Sequence, residues 1–193
     1  MRYLLLLLSL VTTLSLEAQK KNVFVSNPSF EGEPSDATVP VGWFACAPGS
    51  TPDIMPGPWG VYQEASEGNT YIGLITRDDN TFESIGQRLS SPFEANECYA
   101  FHVDLSQSNT YAGYSNPIKL RIWAGAERCT KQQLIAETDY INHRDWKTYH
   151  FKFTAAKTYN YIVIEAFYTT RQFSYRGNIL LDNLSIFKWC ARA

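Results

Sequence analysis

Three alternating stretches of this sequence carry the side chains best suited to meet a ligand. Residues 98–105 put Tyr99, Phe101, Val103 and Leu105 in one phase and His102 and Asp104 in the other. Residues 118–124 set Ile118, Leu120 and Ile122 against Lys119, Arg121 and Trp123. Residues 161–168 leave Glu165 and Phe167 in the outward phase. If these stretches are neighbouring strands, they make one polar sheet face bearing an indole. Such a face suits a sugar: a flat ring stacks on the C–H face of a pyranose, while charged and amide groups hydrogen-bond its hydroxyls. The plainer reading is an ordinary solvated face with Trp123 covered by a loop.

The connections offer a second place for recognition. Trp59, Tyr62, Arg77, Asp78, Asn109, Tyr111, Tyr114, Arg171 and Tyr175 fall between the alternating stretches, where function concentrates. Trp43 and Trp146 read as packing residues, and Trp189 as closing one end of the domain.

Catalytic patterns are weak. Asp104 and Glu165 would serve as a glycosidase carboxylate pair only if their strands were adjacent. The histidines His102, His143 and His150 lack metal-ligand spacing, no serine sits in a Gly-x-Ser-x-Gly elbow, and the glycines are scattered through turns. The expectation is a protein that is not an enzyme.

One acid stands apart. Residues 177–187 read as a single strand with Leu180, Leu184 and Ile186 on one face, and Asp182 falls in their phase. A carboxylate there must be paired, hydrogen-bonded or bound to a cation. It is either an anchor held by backbone N–H groups or a calcium ligand.

The elements that must position these groups are strands. The first 18 residues read as a secretory signal peptide: Arg2, an apolar run through Val11, and a cleavage site at Leu16-Glu17-Ala18. The remainder, 19–193, suits a single domain. No later apolar run is long enough to span a bilayer. The formal net charge of −2 lacks the basic footprint that nucleic acid requires. Cys46, Cys98, Cys129 and Cys190 suggest two disulfides in an exported protein. Their connectivity is open, with Cys98 favoured to pair with Cys129 or Cys190.

Strands are expected over residues 23–25, 70–76, 83–89, 98–105, 118–124, 146–154 and 161–168, with a short one at 59–62. Residues 33–58 form a long Pro- and Gly-rich loop, and 130–142 are ambiguous between a helical turn and an irregular strand. Many short strands at regular spacing predict an all-β chain, an antiparallel β-sandwich or jelly roll.

The order of several short motifs resembles one family. Asn27-Pro28-Ser29-Phe30-Glu31-Gly32, then Pro40 and Gly42-Trp43, resemble the opening of CenC-type carbohydrate-binding modules, which have the galactose-binding-like jelly-roll fold. Gly86-Gln87-Arg88-Leu89, Tyr99 with Phe101, residues 146–153 and 161–164, and Leu181-Asp182-Asn183-Leu184-Ser185 match in order. The pattern is also similar to secreted or surface domains of Bacteroidetes. The resemblance implies non-catalytic binding of a glycan, with a cell-surface protein partner or a structural role as the alternative. It implies that the three polar strands are neighbours. It also implies a structural calcium held by Glu31 and Asp182, with backbone oxygens near Gly68 completing a hard-oxygen site. The sequence departs from some members in lacking a second acid directly after Glu31.

Overall fold

The computed structural model describes residues 22–169 and 175–191. The expected signal peptide and Arg171 lie outside the described residues. Among the described residues the chain forms twelve strands: β1 (Phe44–Ala45), β2 (Asp53–Met55), β3 (Tyr71–Thr76), β4 (Ser84–Phe93), β5 (Cys98–Ser106), β6 (Asn116–Pro117), β7 (Lys119–Gly125), β8 (Gln133–Glu137), β9 (Lys147–Thr154), β10 (Tyr159–Phe167), β11 (Gly177–Asp182) and β12 (Lys188–Cys190).

They pack as two sheets, and the expected antiparallel jelly-roll sandwich is the observed fold. One sheet runs β1-β4-β10-β7-β8. The other follows β12-β5-β11-β3-β2, with β9 on the far edge of β5 and the two-residue β6 parallel to β11. Residues 130–142 resolve into strand β8 on the edge of β7.

Alternation builds the core as expected. Tyr99, Phe101, Val103 and Leu105 of β5 point between the sheets with Leu120 and Ile122 of β7 and Phe153 of β9. Phe93, Phe101, Phe153 and Phe187 form a chain of aromatic contacts with ring centroids 4.6–6.2 Å apart. Trp43 packs on Phe30 at 5.1 Å and donates its indole N–H to the Asn27 carbonyl.

A second, smaller cluster lies on the outer side of the longer sheet. Met55, Val61, Tyr71, Ile75, Tyr111 and Leu180 compose it, roofed by the segments around residues 55–65 and 111–114. This cluster corrects the reading of the last strand. Ile179 and Leu181 face the main core, whereas Leu180 faces the small cluster, so Asp182 shares the outer phase. The strand stops at Asp182 because Asn183 takes φ 50°, a left-handed turn that returns Leu184 to the main core.

Two disulfides staple the fold. Cys98–Cys190 joins directly opposed residues of β5 and β12, one of the two pairings expected. Cys46–Cys129 ties the segment after β1 to the turn between β7 and β8. No helix among the described residues is long and apolar enough to cross a membrane.

Candidate functional site

The expected sheet face does not assemble as one surface. His102 and Asp104 lie on β5 in one sheet, while Arg121, Trp123 and Glu165 lie on β7 and β10 in the other. Local alternation sets the phase of each strand but not its neighbours in the sheet. Asp104 and Glu165 therefore cannot act as a carboxylate pair across one bond. His102 sits opposite His150 with ring centroids 5.5 Å apart. Asp104 is buried and accepts from Thr148 Oγ1 (2.6 Å), Ser66 Oγ (2.7 Å) and Asn183 Nδ2 (3.0 Å). Burial opposes its ionisation, but these donors prevail and hold its carboxyl below the usual range.

On the other sheet, the side chains around Trp123 satisfy one another. Trp123 Nε1 donates to Glu165 Oε2 at 3.0 Å, and Lys131 pairs with the other oxygen of Glu165. Arg121 pairs with Glu137 at 2.6 Å and lies 3.3 Å over the Phe167 ring. Part of this face is strapped over. A Cβ on Gly86 would come within 2.8 Å of both Cys46 Sγ and Phe44, and Arg128 stacks over Phe44. Glu165, held between Trp123 and Lys131, is buried.

The loop residues divide sharply. Tyr111 is 1% exposed and belongs to the small core, where its hydroxyl bonds Asp53; it is a packing residue, not a rim contact. Arg77 pairs with the buried Glu83 at 2.6 Å. Tyr175 is half-buried, its hydroxyl donating to the Pro117 carbonyl. Trp59 and Tyr62, in contrast, are 49% and 78% exposed.

These two rings belong to a ridge between clefts. In place of the expected strand, Pro58–Gly60 forms a tight turn in which Trp59 takes φ 55°. Gly57 and Gly60, at φ 117° and 80°, supply the backbone freedom on either side. Trp59 lines a cleft of about 570 Å³ with Pro34, Ser35, Asp36, Pro56 and Pro58. Close to it, buried Asp53 accepts from Tyr111 and from the Ala37 N–H. Burial raises the Asp53 carboxyl above its usual range despite these donors. On the other side, Gly60 and Tyr62 line a cleft of about 290 Å³ with Gln63, Gln107, Asn109 and Arg144. These polar residues carry no sequence pattern; folding alone brings residues 60–63, 107–110 and 144 together.

Glu31 and Asp182, the expected metal pair, meet at one turn. Asp182 is fully buried and accepts from the N–H groups of Ser66 (2.8 Å), Glu67 (2.8 Å) and Asn183 (2.7 Å). Glu31 Oε1 accepts from Asn69 (2.9 Å) and Thr70 (3.2 Å). Gly68, at φ 68°, lets the turn close on Glu31, whose carboxylate would collide with any Cβ there. Burial, assisted by the charge on Glu31, pushes the Asp182 carboxyl up to about 7 even against three backbone donors. The donor set fits a hard cation in charge and atom type, since two acids converge with no base among the described residues paired to either. Among the described residues no group of three or more His, Cys, Asp or Glu side chains gathers as a metal cluster; a cation here would draw further oxygens from backbone carbonyls.

The two packed sheets define a jelly-roll sandwich. The chain belongs to the HpiC1-like family, whose model, described as HpiC1 cyclase, matches residues 21–163. Among solved structures it is similar to the CBM22-1 xylan-binding domain of Paenibacillus barcinonensis Xyn10C (14% identity, 86% of this chain and 93% of that one, TM-score 0.53). It is also similar to the K1 cleaved adhesin domain of Lys-gingipain from Porphyromonas gingivalis W83 (13%, 84% and 96%, TM-score 0.51). A third is an arabinose-bound GH51 α-L-arabinofuranosidase, of which this chain spans 26% (10% identity, 86% of this chain, TM-score 0.54). No curated protein matches the chain. At these identities the solved structures show the fold alone.

Proposed function

We propose that this chain is a non-catalytic, exported module that binds a glycan at the rim carrying Trp59 and Tyr62. One observation carries the reading. Trp59 is half exposed on a cleft of prolines, Ser35 and Asp36, and its backbone is fixed in a tight turn, its carbonyl accepting from the Ala112 N–H at 3.1 Å. A ring carried on a fixed backbone has less freedom to lose on binding, which suits stacking on a sugar. The fold shared with a domain named for xylan binding supports the reading. So do two disulfides, which suit an oxidising compartment. The face around Trp123 is the lesser candidate because its polar groups are already paired. A glycan array of wild type, Trp59→Ala and Trp123→Ala tests this. Binding lost with Trp59→Ala and kept with Trp123→Ala supports the rim; no binding to any glycan by the folded wild type sinks it.

A structural calcium accompanies the reading. Glu31 and Asp182 would hold it, and it would neutralise two acids that otherwise repel. Its role is to clasp the start of the domain to its last long strand, apart from recognition.

The family match favours a second reading, catalysis of a ring closure. Such chemistry calls for a positioned proton donor. Asp53, whose carboxyl burial raises above its usual range, is the candidate, but it is 3% exposed. Conversion of a bound compound, lost in Asp53→Asn with the fold intact, would establish this reading over the first.

A further inference from the structure

The two clefts beside the Trp59 ridge differ in charge. The larger one is lined by a single ionised side chain, Asp36, among prolines and Ser35. The smaller one holds a single ionised side chain of opposite sign, Arg144, among Tyr62, Gln63, Gln107, Ser108, Asn109 and Thr110. No acid lines it.

Most polar groups in the smaller cleft serve the fold. Gln63 exchanges hydrogen bonds with Ser106, and Gln107 donates to the carbonyls of Ser108 and Ser115. Ser108 and Thr110 bond each other. Arg144 differs: only its backbone carbonyl is used, accepting from Ser106 Oγ. Its guanidinium and the Asn109 amide have no hydrogen-bond or ion-pair partner among the described residues. The backbone bond fixes where Arg144 leaves the chain, and the scaffold beneath it is rigidly bonded. A guanidinium presents a planar fork that matches a carboxylate with two parallel N–H···O bonds. An amide adds a donor for a hydroxyl or a second oxygen. About 290 Å³ gives room for one substituted ring rather than a length of polymer.

We propose that this cleft is a subsite for an acidic sugar, so that the glycan bound at the rim contains a uronate whose carboxylate pairs with Arg144. The proposal rests on the glycan reading and sharpens it. Tyr62, at the lip, supplies the stacking face for the same ring, and Trp59 across the ridge takes the neighbouring neutral unit. Asp36 on the far side repels a second uronate there, which favours chains in which acidic and neutral sugars are mixed.

The test is an array on which galacturonan, alginate and glucuronoxylan fragments are each printed beside their carboxyl-reduced counterparts, followed by calorimetry on any hit. Wild type is expected to prefer a uronate fragment over its reduced form by roughly tenfold, with the preference shrinking as salt rises. Arg144→Gln, an exposed change checked by thermal melting, should erase the preference and leave affinity for the reduced form unchanged. Trp59→Ala should weaken both forms alike. Equal binding of the two forms by wild type overturns the acidic subsite and leaves the glycan reading standing, as does a preference that survives in Arg144→Gln. Failure to bind either form overturns both.

Discussion

Glu31 and Asp182 grip opposite ends of one turn: Asp182 accepts from the N–H groups of Ser66 and Glu67, and Glu31 from those of Asn69 and Thr70. Five residues in the first half of the chain, 66–70, thereby hold Glu31 to the last long strand. The arrangement brings two acids together in a site where Asp182 is fully buried.

A pH dependence follows. The folded carboxyl of Asp182 sits at about 7, raised from 3.8. The native state therefore binds more protons than the unfolded chain between these values, and stability falls as pH rises through that window. The contribution is fully present below about 4 and gone above about 7. Denaturant melts of chelator-treated protein should show this decline. Asp182→Asn should flatten the part of it due to this group, while costing about 1–3 kcal/mol at low pH because one face of the amide cannot accept from the backbone.

Calcium should reverse that behaviour. A bound cation favours both ionised carboxylates, so the melting temperature should rise with added calcium at pH 7.5 and fall with chelator. Asp182→Ala should abolish the difference. A melt indifferent to both additions would leave Asp182 as an anchor held by backbone N–H groups alone.

The disulfides should contribute separately. Cys46–Cys129 and Cys98–Cys190 close loops of 83 and 92 residues. Removing either as a double alanine variant is expected to cost roughly 2–4 kcal/mol. Loss of Cys46–Cys129 should also loosen the strap over Gly86, read as faster hydrogen exchange in residues 44–46 and 127–131.

Much of the sandwich was legible because burial on one face leaves a period of two. Residues 98–105 announced β5 and its inward aromatics, and residues 70–76 announced β3. What stayed hidden was nonlocal. Nothing in the alternation of His102 and Asp104 says that β5 pairs with β9 and β11 instead of β7. Asp182 and Glu31 were recognisable as a pair through their motifs, yet the phase of Asp182 was misread because the chain turns at Asn183. The rim was half legible. Trp59 and Tyr62 stood out as aromatics on a connection, but Tyr111 looked the same and is buried. Arg144 had no sequence signal, since its cleft exists only once three distant segments meet.

Asp53 and Tyr111 should matter to binding without touching a ligand. Tyr111→Phe removes a donor from a buried carboxylate, at an expected cost of about 1–3 kcal/mol. Because the Ala112 N–H, next to Tyr111, bonds the Trp59 carbonyl, a shift of Tyr111 should reach Trp59, so the variant should weaken glycan binding chiefly through a faster off-rate, measured by surface plasmon resonance against the array hits. Unchanged binding in the folded variant would show that Trp59 keeps its place without this support.

The last prediction separates the rim from the sheet face. Trp123 donates to Glu165, Lys131 pairs with the same carboxylate, and Arg121 pairs with Glu137 over Phe167. A ligand stacking on Trp123 would have to displace or share bonds already made, whereas Trp59 offers a half-exposed ring on an open cleft. Trp123→Ala strips one donor from the buried Glu165 and removes a large ring from the sheet. It should therefore lower stability by about 1–3 kcal/mol while changing glycan affinity by less than roughly twofold. Trp59→Ala should do the opposite, losing roughly tenfold or more in affinity with little change in melting temperature. If Trp123→Ala instead abolished binding with an unchanged melt, recognition would belong to the sheet face, and the paired charges around it would be the groups that a sugar rearranges.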